Sequence, residues 1–280
     1  MRGTKARKNV GGVKKRDRLK SNWGRGFTKI LNLMTLFLKK PRPQLVIDIS
    51  DVSYYDIGME DFLAMIKACI FDLDGTIGNT LDSMVYSVNL TLKEMSLSEI
   101  SKEQCREFVG NGARVLMEKA LDASGNPGAT RIEEGMQIYG RIFDENCTYH
   151  VTPCEGVPEM LYKLKKKGVK LAVLSNKPHC QAVKAVHAIY GEKLFDWVQG
   201  QKDEIPRKPD PAGVFYVAKK LGVDYKECLY VGDSEVDVVT GKNAGVKTIA
   251  VTWGFRTKEE LMIAGARYMI DKAEQLQEYL

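Results

Sequence analysis

The sequence predicts an α/β protein, a mostly parallel sheet interrupted once by a bundle of helices. Two observations point there. Short, fully apolar runs recur along residues 65–280 with helix-length stretches between them, the alternation that crossover-connected parallel strands produce. Between the first run and the second lie residues 82–148, whose apolar residues instead recur at helical steps.

Before the first strand stands a basic head. Residues 1–64 hold 14 Lys/Arg against 6 Asp/Glu, leaving 28 basic and 30 acidic residues in 65–280. The chain's net charge of +6 is thus confined to the head, and no nucleic-acid partner is expected for residues 65–280. Met1–Arg42, rich in Lys, Arg and Gly with Asp17 its single acidic residue, reads as a disordered extension. The run FTKILNLMTLFL at 27–38 carries Lys29 and Asn32 and falls short of the ~20 apolar residues that span a bilayer. KKPRP follows it, not the small residues of a signal-peptide cleavage site. No transmembrane segment is expected. A membrane-surface helix and a nucleic-acid arm remain rival readings of the head, and Met65, directly before a strand-like run, is a candidate translation start.

The first strand is KACIF at 67–71, ending in DLDGT. In the interruption, Met84, Val85, Val88, Leu92 and Met95, then Ile132, Met136, Tyr139 and Phe143, keep helical spacing. Ser101 and Gln104 have capping-box spacing, and Gly125–Gly128 breaks the pattern as a loop. About four helices are expected. Strands resume at LAVLS (171–175), WVQG (197–200), CLYVG (228–232) and KTIAV (247–251), with helices near 178–190, 211–221 and 235–244. Asp210 as N-cap before Pro211, and Ser234 with Asp237 in a capping box, mark two helix starts. The division expected is a core of 65–81 and 149–280 around the insertion 82–148. Six cysteines form no C-x-x-C pair, which argues against zinc and disulfide frameworks and for reduced thiols in a cytoplasmic setting.

Polar residues at strand ends carry the chemistry. Asp72 and Asp74 close the first strand and could share a hard cation. A calcium loop is excluded: with Asp72 at position 1, Ile77 occupies the glycine position and Ser83 the place of the bidentate Glu. Ser175 and Asp233 each follow an apolar strand directly, at the edge where open parallel sheets bind ligands. Lys208, boxed by Pro206 and Pro209, can be aimed there by a restricted loop. A lysine beside carboxylates and a hydroxyl suits phosphoryl chemistry. No G-x-x-x-x-G-K-[ST] loop is present, and the glycines near 110–112 do not form a dinucleotide fingerprint. His150, His179 and His187 show no ligand spacing.

DLDGT at 72–76, Ser175, Lys208 in KPDP and GDSEVD at 232–237 resemble, in order, the motifs of the haloacid dehalogenase-type phosphohydrolases. VGNGARVLMEKAL at 109–121, LSNKP at 174–178 and VGDSEVD at 231–237 are similar to the phosphoglycolate phosphatase branch. The resemblance implies a Rossmann-like core with a helical cap, Asp72 as nucleophile and Asp74 as general acid/base. It implies Mg²⁺ between Asp72, the backbone carbonyl of Asp74 and Asp233, and phosphate held by Thr76, Ser175, Asn176 and Lys208, with Asp237 orienting Lys208 or the metal shell. Gly110, Asn111, Gly112 and Arg114 are the implied cap residues over the site. Arg114 could pair bidentately with a substrate carboxylate; the other reading is a glycine-rich link with a surface arginine. Cys154 and Glu155 stand where relatives often carry a tyrosine-proline pair, and the head has no counterpart in the family.

The implied substrate is a small phosphorylated metabolite, 2-phosphoglycolate first. Pyrophosphate or a sugar phosphate, the latter hydrolysed or isomerised, is the alternative. A reading of another class makes the chain a membrane- or nucleic-acid-binding protein with an idle phosphatase-like domain; Asp72, Asp74, Lys208 and Asp233 are all present, which speaks against idleness. The sequence assigns no oligomeric state.

Overall fold

The computed structural model describes residues 65–280. The readings of the basic head and its apolar run lie outside the described residues. Strand β1 (Ala68–Phe71) is buried along its whole length. The chain then forms β2 (Gly78–Asn79), four helices α1 (Leu81–Glu94), α2 (Lys102–Phe108), α3 (Ala113–Ala123) and α4 (Ile132–Asn146), and β3 (Thr152–Pro153). After α5 (Val157–Lys166) come β4 (Lys170–Pro178), α6 (His179–Tyr190), β5 (Trp197–Gln201), α7 (Ala212–Leu221), β6 (Cys228–Gly232), α8 (Glu235–Ala244), β7 (Lys247–Val251), α9 (Lys258–Ile263) and β8 (Tyr268–Ile270).

Six strands make one sheet in the order β5-β4-β1-β6-β7-β8, parallel at every pairing. Alternation along β1 divides its side chains between two cores. Cys69 and Phe71 pack with Leu161 and Leu164 of α5 and Ala182 and Val186 of α6. Ala68 and Ile70 pack on the other face with Val214 and Val217 of α7. Helices therefore cover both faces, as a parallel sheet requires. Strands β4 and β5 lie to one side of β1 and β6–β8 to the other, so the carboxyl ends of β1, β4 and β6 border the crevice where this topology reverses.

The insertion has its own apolar cluster, including Val88, Leu92, Met117, Leu121, Tyr139 and Phe143. At its base the two chain crossings are tied: β2 pairs antiparallel with β3, and the Cys154 amide donates to the Ile77 carbonyl at 3.1 Å. The capping boxes at Ser101/Gln104 and Ser234/Asp237 both form. All six cysteines are free. Among the described residues no helix is long and apolar enough to cross a membrane.

Three differences from the sequence reading stand out. Helix α7 starts at Ala212 with Pro211 as its N-cap; Asp210 still serves the start, its Oδ1 accepting from the Ala212 amide at 2.8 Å. Strand β4 runs on to Pro178 instead of stopping at Ser175. Helices α5 and α9 and the edge strand β8 were not foreseen, although Val157, Met160, Leu161 and Leu164 keep the i, i+3, i+4, i+7 pattern and are the buried residues of α5.

Leu161 is fully buried between α5 and the sheet. Leu161→Ala is expected to cost about 2–5 kcal/mol, read as a lower urea midpoint with unchanged slope; a loss below about 1 kcal/mol would contradict the packing described.

Candidate active site

The turn after β1 delivers two carboxylates. The Asp72 amide continues the sheet ladder to the Val231 carbonyl at 2.8 Å. Leu73 then points into the core, fully buried, so that Asp72 and Asp74 fall on the other side of the chain. Gly75 turns the backbone at φ +86°, and a Cβ there would collide with the Asp233 carboxylate. Gly254, from the loop after β7, closes on Asp233 in the same way. Between these glycines Asp233 is fixed at both oxygens: Thr76 Oγ1 donates to Oδ1 at 2.9 Å and the Phe255 amide to Oδ2 at 2.7 Å.

Strand β4 supplies a hydroxyl and an ammonium on the same side. Ser175 Oγ accepts from the Lys177 amide at 3.2 Å, which leaves its proton to donate. Lys177 Nζ pairs with Asp74 Oδ1 at 2.7 Å, an oxygen that also takes Thr80 Oγ1 at 2.5 Å. Asn176 ties loops together. Its Oδ1 accepts from the Lys208 amide at 2.9 Å, and its Nδ2 donates to the carbonyls of Lys208 and Gly110, both at 3.1 Å.

Lys208 stands among buried carboxylates, 2.8 Å from both Asp72 Oδ1 and Asp237 Oδ1. Asp237 is saturated: Tyr230 Oη also donates to Oδ1 at 2.8 Å, while Oδ2 accepts from Ser234 Oγ at 2.5 Å and the Ser234 amide at 3.2 Å. Asp72 Oδ1 is buried and receives no hydrogen bond of good geometry, its contact with Lys208 being an ion pair. Burial opposes the charge on Lys208, but Asp237 and Asp72 outweigh it and hold the ammonium well above its ordinary range. Burial, with Asp237, Asp233 and Asp74 outweighing Lys208, pushes Asp72 up to about 8. Burial and the Asp237 charge push Asp233 up to about 7, against the opposing hydrogen bonds from Phe255 and Thr76. These carboxylates are short of positive charge.

They border a cavity of about 50 Å³ between the sheet edge and the insertion. Asp72, Asp74, Ser175, Asn176, Lys208, Asp233, Gly110 and Gly112 all line it. Four residues of the sequence reading do not. Thr76 spends its hydroxyl on Asp233, and Asp237 lies behind Lys208. Asn111 is not among the lining residues. Arg114 is a correction to the carboxylate-binding reading: its half-exposed side chain does not line the cavity and pairs with Glu133 and, at 3.4 Å, with Glu118, carboxylates on α4 and one helical turn on.

Sequence reasoning passed over several lining residues. Lys177 was within reach, since it lies two residues after Ser175 in an extended strand and so on the same side. Tyr139 and Phe143 were seen only as helix core, yet they also line the cavity. Phe255 and Arg256 had no local signal. Arg256 donates to the carbonyls of Arg106 at 3.2 Å and Val109 at 2.8 Å and to Glu235 at 2.8 Å, while Arg106 donates back to the carbonyls of Phe255 at 2.9 Å and Gly254 at 2.8 Å. Such an exchange between insertion and core is visible only once both are folded.

The family model described as haloacid dehalogenase-like hydrolase matches residues 69–251. A phosphoglycolate phosphatase of Pseudomonas syringae pv. tomato is 34% identical over 214 residues, 75% of this chain and 78% of that protein. One of Haemophilus influenzae is 33% identical over 213 residues, 74% of this chain and 94% of its own length. The crystal structure of a candidate phosphoglycolate phosphatase from Lactobacillus delbrueckii subsp. bulgaricus matches with a TM-score of 0.70 at 30% identity, over 77% of this chain and 98% of that one. The six-stranded parallel sheet, the ordered motifs at its carboxyl edge and these likenesses agree: the chain belongs to the haloacid dehalogenase-like hydrolases and is one of their phosphatases, hydrolysing phosphoric monoesters.

Proposed function

We propose that the protein is a Mg²⁺-dependent phosphatase that converts 2-phosphoglycolate to glycolate and phosphate in the cytoplasm, with residues 82–148 as a cap over the site. The observation that carries this reading is the convergence of Asp72, Asp74, Ser175, Lys208 and Asp233 on one small cavity beneath the insertion. The names of the curated relatives support the substrate. Six free cysteines suit a reducing compartment.

An Asp72 oxygen attacks phosphorus, forming an aspartyl-phosphate as the bond from phosphorus to the glycolate oxygen breaks. Asp74 gives that leaving oxygen a proton, then as carboxylate takes one from the water that attacks the same phosphorus. Cleavage of the bond between Asp72 and phosphorus releases phosphate and restores both carboxyl groups. Ser175 and Lys208 hold the phosphoryl oxygens, and Asp237 and Tyr230 aim Lys208. Closure of the insertion keeps bulk water from the acyl-phosphate.

The residues present fit a hard divalent cation. Carboxylate oxygens of Asp72, Asp233 and Asp237 lie within 4.8 Å of one another, and Asp72 Oδ1 is buried without a hydrogen bond. Asp237 is already saturated by its donors, so Asp72, Asp233 and the Asp74 carbonyl would hold the ion. When bound, Mg²⁺ supplies positive charge that offsets the carboxylates and the transferring phosphoryl group.

Phosphate release from a panel of monoesters and pyrophosphate is expected to need Mg²⁺ and to favour 2-phosphoglycolate; preference for another ester would remove the substrate and leave the chemistry. Asp72→Asn is expected to lower turnover of p-nitrophenyl phosphate at least ~10³-fold with an unchanged circular dichroism spectrum, and retained activity would refute the nucleophile.

Metal removal gives a pH-dependent prediction. Asp72 and Asp233 are raised, to about 8 and about 7, by burial first, so without metal the folded state favours their protonated forms. Their contribution to stability is therefore complete at acid pH and fades as pH climbs from the ordinary carboxylate range, about 4, through those raised values. Mg²⁺ needs both ionised and competes with protons. The rise in melting temperature on adding Mg²⁺ is expected to be larger at pH 8 than at pH 5, and the reverse order would contradict the ligand assignment.

A further inference from the structure

Three cations line the cavity, and two of them already have a role. Lys208 is held between Asp72 and Asp237. Arg256 spends its donors on Glu235 and on the carbonyls of Arg106 and Val109. Lys177 differs. Its side chain is only 2% exposed, yet its ammonium meets a single acceptor among the described residues, Asp74 Oδ1. It also lies 5.0 Å from the ring centroid of Phe143 in α4.

An ammonium carries three N–H donors, so two are left without a protein acceptor on a largely buried side chain at the cavity wall. Unfilled donors on a buried charge are costly, and an aromatic face recovers only part of that cost. Such a group is suited to an anionic ligand. The other lining residues on this side, Met84, Val109, Leu116, Tyr139 and Phe255, offer no competing charge.

Position decides which part of a ligand it meets. Ser175 and Lys208 face the phosphoryl oxygens in the proposed reaction, whereas Asp74 faces the leaving oxygen. Lys177, one hydrogen bond from Asp74, therefore stands on the leaving-group side. We infer that Lys177 is the specificity-determining residue, binding an acidic group on the leaving alcohol a few bonds from the ester oxygen. The substrate class is then the phosphorylated small hydroxy acids, and Arg114, paired with Glu133 and Glu118, takes no part. This rests on the phosphatase reading proposed above.

The test compares kcat/KM of the full-length protein for 2-phosphoglycolate and for ethyl phosphate, which replaces the carboxylate by a methyl group. The wild type is expected to prefer the acid at least ~10-fold, and Lys177→Met to lower that ratio ~10–100-fold, the range of one buried hydrogen bond to a charged group. Lys177→Arg is expected to retain more of the ratio than Lys177→Met. A structural role would depress both esters alike, and an unchanged ratio overturns the inference. A wild-type ratio near one overturns it without any variant. Failure of the wild type to release phosphate from any ester would instead sink the phosphatase reading itself, a result distinct from the other two.

Discussion

Gathering buried carboxylates around one ammonium is the constraint on which the site depends. Asp72, Asp233 and Asp237 are each less than a tenth exposed, and like charges this close raise one another's proton affinity. Lys208 offsets part of the repulsion. The surrounding structure supplies the rest in pieces: Tyr230 and Ser234 donate to Asp237, and Thr76 and Phe255 donate to Asp233. The backbone obeys the same constraint, since Gly75 and Gly254 leave no room for a methyl group beside Asp233. A divalent cation would complete the balance, and the raised carboxylates Asp72 and Asp233 lie where the chemistry is assigned.

A second constraint joins the helical insertion to that cluster. Arg106 and Arg256 each donate to carbonyls on the other's side, and Asn176 bonds to Gly110 while holding the Lys208 loop. The acceptors are main-chain carbonyls and the donors are side chains, so the contact depends on backbone shape on one side and on Arg106, Arg256 and Asn176 on the other. Lys177 belongs to both parts at once, touching Asp74 of the core and Phe143 of the insertion. The sheet edge and the helical insertion therefore share residues at the cavity.

Much of this was legible in the amino-acid order. Strands buried on both faces become unbroken apolar runs, and capping boxes are three-residue signals, so KACIF, CLYVG, Ser101 and Ser234 announced themselves. Asp72, Asp74, Ser175 and Asp233 were legible because a polar residue directly after such a run must emerge at the sheet edge. Arg114 misled because its motif carried an implied role, although Glu118 at helical spacing was already the nearer partner. Thr76 was assigned to a phosphate and serves a carboxylate. Lys177 was hidden by ending β4 too early. Arg256 and Phe255 depend on packing between segments nearly 150 residues apart, and no local pattern encodes such a meeting.

The central position of β1 has a consequence for how the chain is assembled. Its first residue pairs with Lys170 on one side and Cys228 on the other, whereas the insertion's four helices are complete by Asn146. During synthesis the helices can find their neighbours locally, while the strand that leads into Asp72 waits, both edges unpaired, for partners not yet made. The tie between β2 and β3 brings the two ends of that intervening bundle together, shortening the effective loop that must close before β1 meets β4.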